Sequence, residues 1–249
     1  MSETNSIWRS SLSSKTALLI VLLLTMVFGA MRVLGVLGPS YLRPLLPLGF
    51  CLMAAMPWML LKPEGRRQIG LTQASGFYLP ALAMGAAAAL ICFGVGILLF
   101  GSTRDNWFVT IGNSYRSIMD TSHFSIAMLH AVFTVPALIF SPIGEEIFFR
   151  GLLQRTLEEH FDIQASTILE CAAFGLVHLC HHGLLRTAAG IVLLPASGAL
   201  WVALMFLTAL LFARIRKRTG SIYPSMASHA AFNLTMNIVI FSTLWQHSP

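Results

Sequence analysis

The sequence contains little charge. Asp, Glu, Lys and Arg make up 10% of its 249 residues, against about 25% in an average soluble domain. Hydrophobic residues make up 56%, which is more apolar surface than a soluble domain of this size can bury. The four cysteines stand singly in apolar stretches, so neither a disulfide framework nor a thiolate zinc site is predicted. The composition therefore indicates an integral membrane protein.

The net charge of +6 does not predict a nucleic-acid partner. The basic residues occur in short clusters beside apolar runs, at 62–67 and 214–218, with Arg9 and Lys15 before the first run. Such clusters set the topology of a membrane protein, because they stay on the cytoplasmic side near anionic lipid headgroups. The lipid bilayer is therefore the expected partner, and all three clusters are expected in the cytoplasm.

Long apolar runs divide the chain into seven or eight spans, since about 20 helical residues cross the hydrocarbon core. The predicted fold class is an all-α, polytopic transmembrane helix bundle. Residues 124–140 and 143–160 are predicted as two helices, and 185–196 as a short or re-entrant span. Successive crossings from a cytoplasmic N-terminus are expected to bring the basic clusters to one side and the tail 247–249 to the other. Without the 185–196 span, the 214–218 cluster would lie on the wrong side.

The chain is predicted to form one continuous membrane domain, because no polar segment is long enough to fold by itself. Residues 1–123 hold the N-terminal transmembrane helices and a connecting loop. Residues 124–249 hold a helix bundle with three polar clusters. Ionisable side chains inside spans are costly and usually serve a function, so these clusters form the candidate site.

The first cluster opens with Ser141-Pro142, which is predicted to begin a helix with Ser141 as its cap. Glu146 and Arg150 are four residues apart and share a helix face, which predicts an ion pair. Glu145 points about 100° away and has no partner within the helix. One acid would then be structural and the other a proton acceptor. Alternatively, the two acids only complement the dipole of the helix N-terminus.

The second cluster is Phe174 with His178, and His181 and His182 follow it at helical spacing. A single histidine on an apolar helix is more often a satisfied core residue than a functional one. Three histidines on one helix face could instead form a metal site or an interfacial patch. This cluster is ambiguous when taken alone.

The third cluster is His229 with Asn233, whose spacing of four puts the imidazole and the amide on one face. Two neighbouring hydrogen-bond donors suit the stabilisation of a developing oxyanion. The alternative is an ordinary hydrogen-bonded pair between helices. The predicted topology puts Glu145, His178 and His229 near the cytoplasmic ends of their helices, so one pocket could hold all three.

The three clusters match, in order, the motifs EExxxR, FxxxH and HxxxN. The chain therefore resembles the CAAX prenyl protease and bacteriocin-processing family (CPBP, or Abi) of intramembrane endopeptidases, over roughly residues 124–245. The resemblance implies that Glu145 and His178 activate the water that attacks the scissile carbonyl. It implies that His229 and Asn233 stabilise the oxyanion, with Glu146, Arg150 and Phe174 in support. Residues 124–249 would then be the catalytic helix bundle.

The resemblance leaves the cofactor open, because family members are described both as metalloproteases and as metal-independent. We expect no cofactor, since asparagine is an uncommon transition-metal ligand and HExxH spacing is absent. A divalent metal such as zinc is the alternative. Glu170 falls on the same helix stripe as His178, where it could shape the cleft or pair with Arg155 or Arg186. His181 and His182 are not expected in the site.

The expected substrate is a membrane-anchored protein or peptide, and peptide maturation is one role of the bacterial relatives. The small size and short loops favour a prokaryotic plasma membrane, with the active site toward the cytoplasm. Two other classes stay open. A proton- or ion-coupled transporter would also keep buried Glu and His, although no inverted repeat is visible. A non-catalytic immunity or scaffold protein could keep the same fold. The sequence does not identify the substrate, the cleavage site or the oligomeric state.

Overall fold

The computed structural model describes residues 7–9, 12–74 and 76–245. Ten α-helices and one two-stranded sheet make up its regular structure. The helices are α1 (Ser14–Leu37), α2 (Leu45–Leu60), α3 (Pro63–Gln68), α4 (Tyr78–Phe100), α5 (Trp107–Ile118), α6 (Ile126–Glu145), α7 (Gln154–Leu157), α8 (Ile163–Val177), α9 (Pro195–Thr219) and α10 (Tyr223–Val239). The strands are β1 (Leu184–Thr187) and β2 (Gly190–Leu193). Wider π-helical turns follow α6 and α10, at Glu146–Leu153 and Ile240–Leu244, and 3-10 turns lie at Ser40–Leu42 and His178–Cys180.

Six helical segments of the described chain are long and apolar enough to cross a membrane. They are Ser14–Leu37, Ser40–Leu60, Tyr78–Phe100, Ile126–Leu157, Ile163–Cys180 and Pro195–Thr219. Helix α10 with its π-helical turn is of similar length and packs along α4 and α6, so we count it as a seventh. It is less apolar because it carries His229, Asn233 and Asn237. The prediction of a polytopic helix bundle is confirmed, and the β1–β2 hairpin is a small addition to it.

Local sequence signals fix where several helices begin and end. The side chains of Ser13, Ser125 and Asp162 accept hydrogen bonds from backbone N–H groups in the first turns of α1, α6 and α8. These groups would otherwise lack partners at a helix start. At the C-terminal end of α9, Gly220 has a φ of 66°. This left-handed conformation suits glycine and reverses the chain before α10.

The prediction of a helix break at Ser141-Pro142 was wrong. Pro142 lies inside α6, and the helical segment runs on from Ile126 to Leu157. Proline is tolerated inside membrane helices, because neighbouring helices and local adjustments of the turn supply new partners for the freed backbone groups. The π-helical stretch Glu146–Leu153 begins four residues after Pro142. Ser141 is therefore not a helix cap.

The predicted span 185–196 was also wrong. Its residues form an antiparallel hairpin in which Leu184 pairs with Leu193 and Thr187 with Gly190, and α9 begins at Pro195. Gly183 and Gly190 have φ values of 110° and 118°, and these left-handed conformations favour glycine. A run of twelve residues is too short to cross about 30 Å as a helix, and its branched apolar residues suit strands.

The helix ends collect at two opposite faces of the bundle. At one, which we call the basic face, Arg216 lies 3.8 Å from Glu158 and Ser14 lies 2.9 Å from His160. At the opposite face, Arg186 donates to the Leu37 carbonyl oxygen over 3.1 Å. The two errors in the predicted spans cancel, because each adds one crossing before the 214–218 cluster. Two crossings precede 62–67 and six bring the chain to 214–218, so both clusters lie at the basic face. The tail 247–249 lies outside the described residues.

This arrangement predicts that the hairpin tip and the 214–218 cluster lie on opposite sides of the membrane. We expect Ala188→Cys to react with an impermeant maleimide from one side only, and Lys217→Cys only from the other. The background would be a chain with its four cysteines replaced by alanine. Protection of Ala188→Cys from both sides would support the span across 185–196 instead.

Two glycines let helices approach closely beside the polar clusters. A Cβ at Gly144 would lie 2.5 Å from the backbone oxygen of Phe50 on α2. A Cβ at Gly85 on α4 would collide with the backbone oxygen of Ser228 on α10. Glu145 follows Gly144 in the chain, and His229 follows Ser228. These close contacts therefore set the depth at which the two side chains lie.

Candidate active site

The centre of the polar region is Glu146, which is fully buried. It lies 3.3 Å from Arg150, so the predicted ion pair along the helix is present. Its Oε1 accepts a hydrogen bond from Nδ1 of His229 over 2.9 Å, and its Oε2 accepts from the hydroxyl of Ser225. Glu146 therefore fixes the ring of His229 from one side.

Glu145 faces a different set of groups. It has no partner within its own helix, as predicted, but Arg32 of α1 donates to its Oε1. Its Oε2 lies 3.7 Å from Nε2 of His229 and has no hydrogen-bond partner within the described residues. A fully buried carboxylate oxygen without a partner is costly, which makes it a candidate proton acceptor.

His178 is held by the motif residue four positions before it. Its Nδ1 donates to the carbonyl oxygen of Phe174 over 2.7 Å, so its Nε2 is turned toward the site. That nitrogen lies 3.4 Å from Nη2 of Arg32. The guanidinium thus lies beside both Glu145 and His178, the two residues predicted to share a water.

His229 and Asn233 lie on one face of α10, as their spacing predicts. The His229 ring stacks on Phe212 with centroids 5.0 Å apart, and its Nε2 lies 3.3 Å from the hydroxyl of Ser141. Asn233 donates one amide N–H to the backbone oxygen of Ala137 over 2.9 Å. The two side chains are therefore anchored independently, one on Glu146 and the other on the backbone of α6.

Sequence reasoning missed Arg32, and with it His181. Arg32 donates from Nε to Nε2 of His181 over 2.9 Å, so His181 borders the site although it was not expected there. The signal for Arg32 was available, because it is the one ionisable residue inside the predicted span 16–36. Its contact with Glu145 was not predicted, because Arg32 is far from the three motifs in the sequence. His182 does lie apart, against Thr110 at 3.0 Å, and burial lowers its pKa to about 4.

Glu170 pairs with a different arginine from the two that were predicted. Its Oε1 lies 3.6 Å from Nε of Arg150, and neither Arg155 nor Arg186 contacts it, because those side chains lie at the two faces of the bundle. Arg150 is thus shared between Glu146 and Glu170. Its guanidinium also packs 4.0 Å from the ring centroid of Phe174, which connects the second motif to the first.

The residues present do not fit a divalent metal in this arrangement. No group of three or more His, Cys, Asp or Glu side chains that could hold a metal occurs in the described ranges. The positive guanidinium of Arg32 also lies against Glu145 and His178, where a cation would be repelled.

The site lies deep in the bundle. Glu145 is twelve residues from Leu157 and His178 fifteen from Ile163, or about 18 and 22 Å from the basic face at the α-helical rise. Helix α8 begins at that face, so His178 lies at the end of its helix that is farther from the basic face. The buried acids and histidines converge inside the bundle, which is the arrangement of an intramembrane enzyme or a proton pathway.

Comparison with known proteins supports the first of these classes. Residues 127–235 match the family model described as "Type II CAAX prenyl endopeptidase Rce1-like". The match covers less than half of the chain but includes all three motifs, and the predicted resemblance is confirmed over this segment. Residues 127–235 are therefore similar to the Rce1-like family, whose endopeptidase description supports a peptidase activity. Neither a curated protein nor a solved structure matches this chain.

Proposed function

We propose that this protein is an intramembrane endopeptidase that hydrolyses a peptide bond in a membrane-associated protein or peptide. The observation that supports it best is the convergence of Glu145, His178 and His229 at one buried place. They come from three helices and are oriented by separate contacts. Such preorganised polar groups in a site without bulk water are what acyl transfer to water requires.

The reaction begins with proton transfer from water to the unpartnered Oε2 of Glu145. The water oxygen adds to the scissile carbonyl, while Nε2 of His178 accepts the second hydrogen bond of the water. The carbonyl π electrons move to oxygen, and the oxyanion is stabilised by Asn233 and His229. When the C–N bond breaks, Glu145 returns its proton to the leaving amine.

The partners and the location extend this proposal. The substrate class is a membrane-anchored protein or peptide, and no metal is needed for the steps above. The membrane is a prokaryotic plasma membrane with the basic face of the bundle in the cytoplasm. The predicted opening of the active site toward the cytoplasm stays a prediction. The biological role is either Abi-type immunity or peptide maturation. Identification of the cleaved protein would distinguish the two.

One observation favours a second function. The buried ionisable groups form a connected series from Arg32 through Glu145, His229 and Glu146 to Arg150 and Glu170. Such a series could relay protons in a coupled transporter. Proton or solute flux in proteoliposomes that depends on Glu145 would support transport. A non-catalytic scaffold of the same fold would tolerate replacement of every motif residue.

A comparison of protein termini in cells tests the proposal. We expect one membrane-associated protein to lose its processed terminus when His178→Ala replaces the wild type, because Nε2 of His178 holds the attacking water. His123→Ala is the matched control, since His123 is exposed near the opposite face. Unchanged termini with His178→Ala, in a protein still inserted and folded, would contradict the peptidase assignment.

A further inference from the structure

A single guanidinium contacts three groups at the centre of the site. Arg32 of α1 donates through Nη1 to Glu145 and through Nε to His181 over 2.9 Å. Its Nη2 lies 3.4 Å from Nε2 of His178. The side chain is 6% exposed, and its guanidinium carbon lies 5.4 Å from the ring centroid of Phe50. Since α1 precedes residues 127–235, no motif of the matched family includes this residue.

Stability alone is a weak reason for this contact. Taking two charges out of water costs several kcal/mol per ion, and apolar residues in their place are often equally stable. A packing role for α1 against α2 and α8 would need only apolar side chains such as those around Arg32. The guanidinium is better explained by what happens to the charge of Glu145 during the reaction.

The proposed hydrolysis moves one negative charge within the site. Before it, Glu145 is ionised and paired with Arg32. After water gives its proton to Glu145 and adds to the carbonyl carbon, the carboxyl is neutral and the carbonyl oxygen carries the charge. The total charge is unchanged, but Arg32 has lost its partner just as an anion appears beside it. In a low-dielectric site, an anion next to a fixed cation is strongly favoured.

We propose that Arg32 is a further catalytic residue, whose guanidinium is shared between the Glu145 carboxylate and the oxyanion as the proton moves. When the C–N bond breaks and Glu145 gives its proton to the leaving amine, the carboxylate and Arg32 pair again. The contact with His181 holds the guanidinium through Nε. The Nη groups can then donate first to the Glu145 carboxylate and later to the oxyanion. This inference rests on the proposed endopeptidase function.

Steady-state kinetics of the full chain in nanodiscs test this role. The probe is an internally quenched peptide with a prenylated cysteine and three further residues, or, if it is not cut, the peptide around the terminus found in cells. We expect Arg32→Gln to lower kcat by about 10²–10³-fold with KM changed less than about threefold. Arg32→Lys keeps the charge without the planar fork, so its loss should be smaller. Arg116→Gln is the control, because Arg116 contacts Trp245 far from the site.

Chemical rescue separates catalysis from folding. Arg32→Ala should regain at least about tenfold in kcat with added methylguanidine, because the cation can occupy the space left by the side chain. Loss of folded protein in Arg32→Gln with normal kcat for the folded fraction would overturn the inference. So would unchanged kcat in Arg32→Lys and Arg32→Gln while Glu145→Gln is inactive, although the endopeptidase function would stand. If Glu145→Gln keeps full activity, the proposed function fails and the inference with it.

Discussion

Glutamine in place of Glu145 should lower the kcat for peptide hydrolysis by about 10²–10⁴-fold, the contribution of a positioned general base. The amide has nearly the shape of the carboxylate but cannot accept the proton from water at Oε2. It also leaves Arg32 without its charged partner. The same peptide assay in nanodiscs measures this loss, and the thermal unfolding of each variant shows whether it is folded.

A matched control is available at the surface. Glu64→Gln removes an acid of the basic face that pairs with Arg67 in the solvent, where both side chains are more than 60% exposed. We expect its kcat to equal that of the wild type. Full activity in Glu145→Gln would show that another group accepts the proton and would remove the central assignment of the mechanism.

Methionine in place of Arg150 should lower the free energy of unfolding by about 3–5 kcal/mol, the cost of removing one partner from a buried ionic group. Arg150 is fully buried and neutralises two acids, Glu146 and Glu170. Without it, two carboxylates would share an apolar environment formed by the Phe174 and Phe212 rings. Unfolding by SDS titration of the purified protein measures the change.

Two further variants show whether charge is the cause. Glu170→Gln added to Arg150→Met should restore part of the lost stability, since a neutral amide needs no counter-charge. Arg155→Met should cost less than about 1 kcal/mol, because its pair with Glu158 is long, at 4.0 Å, and partly exposed to solvent, and such pairs contribute little. If both arginine variants lose the same stability, lost packing rather than unpaired charge explains the effect.

Local features of the site followed from the sequence, while contacts between distant segments did not. The spacing of Glu146 and Arg150 and that of His229 and Asn233 predict their relative positions, because a helix fixes which residues share a face. The partner of Glu145 could not be predicted in this way. Which side chain reaches Glu145 depends on how the whole bundle packs, and Arg32 is 113 residues from Glu145 in the sequence.

The errors in the spans have a similar cause. A short apolar run such as 185–196 has the same composition in a buried helix, a re-entrant segment or a strand, and its glycines become informative only when the turn is known. Ser141-Pro142 has the composition of a helix start, but in lipid the neighbouring helices supply partners that a surface helix would lack. In the structure, Ser141 lies beside His229 instead.

The long helix through Glu145 has two halves with different surroundings. All eight residues of Glu146–Leu153 are buried, so protein encloses this half on every side. In the other half, Ile139, Phe140 and Ile143 are each at least 39% exposed and border the acyl chains. These are the exposed residues of this helix nearest to Glu145, so a membrane-anchored chain that reached Glu145 along this helix without leaving the bilayer would pass 139–143.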